Sequence, residues 1–153
     1  MGNMNPDQPH WKIFTAISGI YLKSRKLAEE SLKPLNVTWP QFGALMTLNI
    51  QENINQRELA ERLESDTTTA MVICDSLQKK GWINRVKDPN DRRVNRLILT
   101  ESGKKVFTEA YPLMLARYDV FLKSISEERI MAVLPVLEEL YGTIKKHYDK
   151  EIT

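Results

Sequence analysis

Residues 66–100 constrain the fold more than any other part of the chain. Asp66 precedes a helical run, TTTAMVICDSLQKK, and Gly81 follows it. Aspartate is a preferred N-cap because its carboxylate accepts hydrogen bonds from first-turn amides, and glycine supplies the left-handed residue that ends a helix. The spacing therefore predicts a helix over 67–80. Immediately afterwards, WINRVK and VNRLIL are rich in β-branched and apolar residues and flank the turn DPNDRR. Such runs on either side of a Pro/Asn/Asp turn make a hairpin. The return strand runs into Thr100, whose hydroxyl can cap another helix.

Helical punctuation continues on both sides. Ile13, Ile17, Ile20, Tyr21 and Ala28 recur at helical spacing and predict a long first helix over about 9–32. Thr38 and Gln41 form a capping box for a second helix with Phe42, Leu45, Met46 and Leu48 facing inward; Pro40 is tolerated in its first turn. Asn55 and Glu58 open a short third helix, QRELAERL, ending near Leu63, and Glu64 and Ser65 turn the chain. In the fourth helix Ala70, Ile73, Cys74 and Leu77 form the inward stripe. Thr68, Val72, Asp75 and Lys79 lie opposite, flanked by Thr69, Met71 and Ser76. After Thr100, Val106, Phe107, Ala110, Leu113 and Met114 continue a helix. Ser126 with Glu127 and Glu128 starts the last one, whose stripe is Val133, Leu137, Leu140, Tyr141, Ile144 and Tyr148. Pro112 and Pro135 are expected to kink or interrupt these two helices.

A short helix, a turn, a capped helix and then a hairpin make a winged helix-turn-helix. The expected fold is mainly α with a small β-hairpin wing. All 153 residues form one domain: a winged lobe over about 36–105, with dimerisation helices over 9–35 and 106–153. The terminal helices carry apolar stripes too large to leave in water, so each needs the other or a second chain. Charge points to the partner. Residues 79–105 hold nine Lys/Arg against three acids, while residues 1–78 and 106–153 are each net −2. Basic charge gathered in one short segment is the footprint of a polyanion-binding surface. The major groove of DNA admits one helix, and a hairpin beside it reaches the neighbouring minor groove. Arg92 and Arg93 are the groove probes, Asp91 being expected to pair with one and aim the other. A narrow A·T-rich minor groove favours an inserted guanidinium.

The order LA-x-x-L (residues 59–63), a capped helix, K-K-G-W-I-x-R (79–85), D-P-x-D-R-R (88–93) and L-T-x-x-G (99–103) resembles the MarR family of transcriptional regulators. Matching elements cover nearly the whole chain, and the wing and the L-T-x-x-G junction are its specific parts. The resemblance implies a homodimer with interleaved first and last helices and two winged lobes on a palindromic operator. It also implies a regulator, mostly a repressor, often released by a small phenolic ligand. One place departs from the family pattern: Met71 and Val72 stand where a Ser or Thr followed by Arg is frequent. Apolar side chains there either touch thymine methyls, which favours A·T-leaning half-sites, or pack against the wing and stay silent.

The candidate roles follow. Thr67, Thr68, Thr69, Met71, Val72, Ser76 and Lys79 form the recognition face, and Asp91, Arg92 and Arg93 the wing. Gln56, Arg57 and Lys80 are phosphate contacts, since cations at groove edges set position more than specificity. Trp11, Tyr21, Trp39 and Tyr111 are candidate lining of a pocket for an aromatic or phenolic effector, or simply core. The single cysteine, Cys74, excludes an internal disulfide and a thiolate zinc cluster, and its inward position makes it an inert apolar group. His10 and His147 are isolated, and no Gly-rich phosphate loop or Ser/His/Asp set converges, so neither enzyme activity, cofactor nor metal is expected. The first residues, with Pro6 where a myristoylation signal needs Ser or Thr, lack a leader pattern, and no run reads as a membrane span. The expected location is cytoplasmic. The runner-up function is a dimeric ligand-binding or protein-interaction module of the same fold without operator binding.

Overall fold

A computed structural model describes residues 8–151, with side chains to Tyr148. The reading of the first residues, Pro6 included, lies outside the described residues. Among the described residues six helices and three strands follow in the order α1 (Pro9–Leu32), α2 (Trp39–Ile50), β1 (Ile54–Asn55), α3 (Gln56–Arg62), α4 (Thr67–Lys79), β2 (Ile83–Lys87), β3 (Asn95–Leu99), α5 (Glu101–Leu122) and α6 (Glu127–Glu151). A 3₁₀ turn, Lys33–Leu35, joins α1 to α2.

Local chemistry sets most boundaries. The Gln41 amide donates to Thr38 Oγ1 while Gln41 Oε1 accepts from the Thr38 amide, and Asn55 and Glu58 repeat the exchange at α3. The helix α4 ends at Lys80, and Gly81 takes the left-handed φ of 71°. Thr100 joins sheet to helix: its hydroxyl donates to the Gly81 carbonyl at 2.7 Å and accepts the Gly103 amide at 3.0 Å. A Cβ on Gly103 would collide with the Trp82 carbonyl, which is why the L-T-x-x-G junction needs glycine there.

Two features differ from expectation. The hairpin is the larger part of a three-stranded antiparallel sheet of order β1-β3-β2, with β1 pairing Ile54 to Leu97 and Asn55 to Arg96. A two-residue strand carries no periodicity to read. Pro112 and Pro135 lie inside α5 and α6, and neither interrupts its helix. Each proline removes one amide hydrogen bond, and in helices of 22 and 25 residues the turns on either side stay bonded.

The chain divides into two compact units, the first closing at Leu115 and the second opening at Ala116. In the first, Leu32, Leu45, Leu48, Leu59, Leu77, Ile83 and Leu97 are fully buried, so helices and sheet share one core. The inward stripe of α4, including Cys74, lies in it. The second unit contains the end of α5 and all of α6, whose Met131, Val133, Val136, Tyr141 and Tyr148 are each more than half exposed in the single chain. No helix among the described residues is long and apolar enough to cross a membrane.

Candidate nucleic-acid interface

The outer face of α4 begins at its cap. Asp66 accepts both the amide of Thr69, at 2.8 Å, and its hydroxyl, at 2.7 Å. These bonds hold the Asp66 carboxyl below its ordinary pKa and fix the entry of the helix. Thr69 therefore serves the cap, whereas Thr67 and Thr68 are exposed beside it. Met71 and Val72 are 45% and 62% exposed, so neither is packed away, and Lys79 is exposed at the far end of the face.

Two candidates are drawn inward. Ser76 is half-buried, its Oγ accepting from Gln41 Nε2 at 2.7 Å. Lys80 donates to the Asn36 carbonyl and to Gln41 Oε1, with its ammonium 4.4 Å from the centroid of the Trp82 ring. Burial pulls its pKa below the ordinary lysine value. Both therefore lock the end of α4 to the entry of α2, where spacing puts Ser76 at the edge of the outer face and charge makes Lys80 a phosphate contact. At 100° per residue a position at the edge of a helix face is decided by what packs beside it.

In α3, Arg57 is exposed and pairs with Glu61 at 3.1 Å across one helical turn. Gln56 is half-buried and accepts from Arg85 at 3.4 Å. Arg85 is a residue the sequence reading missed. From β2 it also reaches Gln78 at 2.7 Å and Asp75 at 2.6 Å, and so ties the wing to α4 and to α3.

The wing tip is a hydrogen-bonded turn. Asp88, only 5% exposed, accepts the amides of Asn90 and Asp91 through Oδ1, and Oδ2 accepts from Arg96 Nε at 2.5 Å. The Asn90 amide, then the Arg96 guanidinium and after it the Asp91 amide, hold its carboxyl below the usual range. Asp91 accepts the backbone amide of Arg93 at 2.9 Å, not a guanidinium. The paired arginine of the wing is thus Arg96, and the expectation that Asp91 pairs with Arg92 or Arg93 is corrected. Their spacing matched an Asx turn equally well, and the shorter, local bond prevails. Arg92 and Arg93 are exposed, and no ion pair holds either guanidinium among the described residues.

The aromatic candidates separate. Trp39, Phe42, Phe107 and Tyr111 form a row with successive centroids 6.1, 6.1 and 5.4 Å apart. Trp11 and Tyr21 are not in it. They stand on α1, each 52% exposed, and Trp11 lines a shallow groove with Thr15 and Ile20 of its own helix. Phe42 and Phe107 are the members the sequence reading placed only in the core. Among the described residues no cluster of three His, Cys, Asp or Glu could hold a metal ion.

The chain that carries this exposed helix face and wing is similar to known proteins. The profile of the MarR family covers residues 37–94, from the entry of α2 to the wing turn. The transcriptional repressor MprA of Escherichia coli (strain K12) is 37% identical over 110 residues, which is 69% of this chain and 62% of MprA. The family this chain resembles is the MarR family. It spans less than two thirds of the length of MprA, so the match reaches only part of that relative. Among solved structures, a MarR transcriptional regulator from Methanosarcina mazei Go1 superposes with a TM-score of 0.79 at 27% identity, covering 88% of this chain and 96% of that one. A cysteine-to-serine mutant of E. coli MarR complexed with operator DNA gives 0.78 at 25% identity, over 84% of this chain and 93% of that one. The mainly helical winged fold of this chain is the fold of those structures.

Proposed function

We propose that two copies of this chain bind a palindromic DNA operator and repress transcription. Each would place the outer face of α4 in the major groove and Arg92 and Arg93 in the flanking minor groove. The observation that carries the reading is the contrast within one basic segment. Arg85, Arg96 and Lys80 are engaged inside the lobe, while Arg92, Arg93 and Lys79 are left facing out beside Thr67, Thr68, Met71 and Val72. The solved E. coli MarR complex with operator DNA supports the partner, and the name of MprA supports repression.

Dimerisation follows from α1 and α6. Ile20 is 66% exposed and Val136 63%, and surfaces of that kind associate in water. Isologous pairing would set two recognition helices about 34 Å apart, one DNA turn. The row from Trp39 to Tyr111 supports a small aromatic effector, since offset rings of this kind accept another ring. Incubation with a random pool of duplexes at low salt, followed by sequencing of what is retained, tests the reading. An inverted repeat bound by two chains is expected; retention of no duplex would leave the interaction-module reading.

A further inference from the structure

Arg96 sits in the central strand, paired with Asn55 on one side and Val86 on the other. Its side chain spans the distance between two parts of the lobe that are far apart in sequence. Nε holds Asp88, whose other oxygen organises the turn bearing Asp91, Arg92 and Arg93. Nη1 donates to the Asn53 carbonyl at 3.0 Å and to Glu58 Oε2 at 3.3 Å. That same Glu58 oxygen accepts the Asn55 amide that opens α3. One guanidinium thus bridges the wing tip and the start of the helix-turn-helix. Only a planar, multidentate cation does this; an ammonium is a point charge that cannot hold such a fork. Asp88 is buried and Arg96 is one-third exposed, so the wing-side pair is shielded from solvent more than an ordinary surface pair.

We infer that Arg96 is a positioning residue for DNA reading: it holds the wing at the angle to α3 and α4 from which Arg92 and Arg93 reach the minor groove. It touches no base itself. The inference rests on the operator reading above and adds to it that minor-groove preference is set from inside the sheet. A register held by β-strand pairing alone leaves the wing free to swing about its base, whereas the Asp88–Arg96–Glu58 bridge fixes it to the helix that approaches the backbone.

The test uses full-length protein and the duplexes that wild type selects from a random pool. Each duplex is remade with A·T or G·C pairs at the flanks facing the wings. Wild type is expected to prefer A·T flanks by roughly fivefold or more. In Arg96→Lys, the preference is expected to fall below about twofold, while a change within the major-groove half-site costs the same as in wild type. Adding Arg93→Ala to Arg96→Lys is expected to change flank preference by less than about twofold more, because the arginine is already misplaced. A role in stability alone would instead weaken all duplexes equally and leave the two substitutions additive. Melting temperature and dimer mass are recorded for each variant. Should Arg96→Lys not fold, Glu58→Gln keeps the cap at Asn55 and removes one charge from the bridge; it is expected to lower the preference by about twofold. A wild-type flank preference retained in full by a folded variant overturns the inference. A wild type that binds no duplex overturns the operator reading beneath it.

Discussion

At the scale of single residues, the side chains that matter are those whose neighbours leave one conformation open. Gly103 lies so close to the Trp82 carbonyl that no side chain fits. Gly103→Ala is expected to destabilise the fold by about 1–3 kcal/mol, read as a lower urea midpoint with an unchanged slope. Asp88 gives a pH signature. Its folded pKa lies below the ordinary carboxylate value because amides and Arg96 stabilise the charged form. The stabilisation is therefore present above the unfolded pKa, about 4, and is lost as pH falls through the lower folded value. Urea midpoints of wild type and Asp88→Asn should differ most near neutrality and converge below about pH 4. A gap that does not change with pH would mean that Asp88 matters for shape and not charge.

Elements were legible where the signal is local. The two capping boxes, the Asp66 cap, Gly81 and the turn at residues 88–93 are readable because each bond spans two to four residues. The apolar stripe of α4 was legible for the same reason. What escaped the sequence spans the fold. Gln41 reaches Ser76 across 35 positions, and Arg96 reaches Glu58 across 38. Nothing in the neighbourhood of either residue announces its partner. Periodicity puts Ser76 at the edge of the outer face and its charge makes Lys80 a phosphate contact; the buried Gln41 draws both inward, with the Asn36 carbonyl and the Trp82 ring also holding Lys80. Gln41→Ala is thus expected to cost more than a capping box. It leaves Ser76 Oγ without its donor and Lys80 with only the Asn36 carbonyl and the Trp82 ring at the junction of α2 and α4, so a loss of about 2–3 kcal/mol in chemical denaturation is anticipated. A loss near 0.5 kcal/mol would show that water replaces Gln41 at no cost.

For the whole molecule, the exposed apolar stripes of α1 and α6 argue for a dimer, and the basic wing argues for DNA. A chain of 17.7 kDa is expected to sediment at twice that mass at micromolar concentration. The central claim is that Arg92 and Arg93 are left unpaired because they are meant for a duplex. Its most direct test is the affinity of wild type and Arg93→Ala for a selected duplex, measured by fluorescence anisotropy across a salt series. Wild-type affinity should fall steeply with salt, and Arg93→Ala should bind more weakly with a slope shallower by roughly two log units per dimer, about 0.9 from each wing. Equal affinity and equal slope for the two proteins would contradict the account.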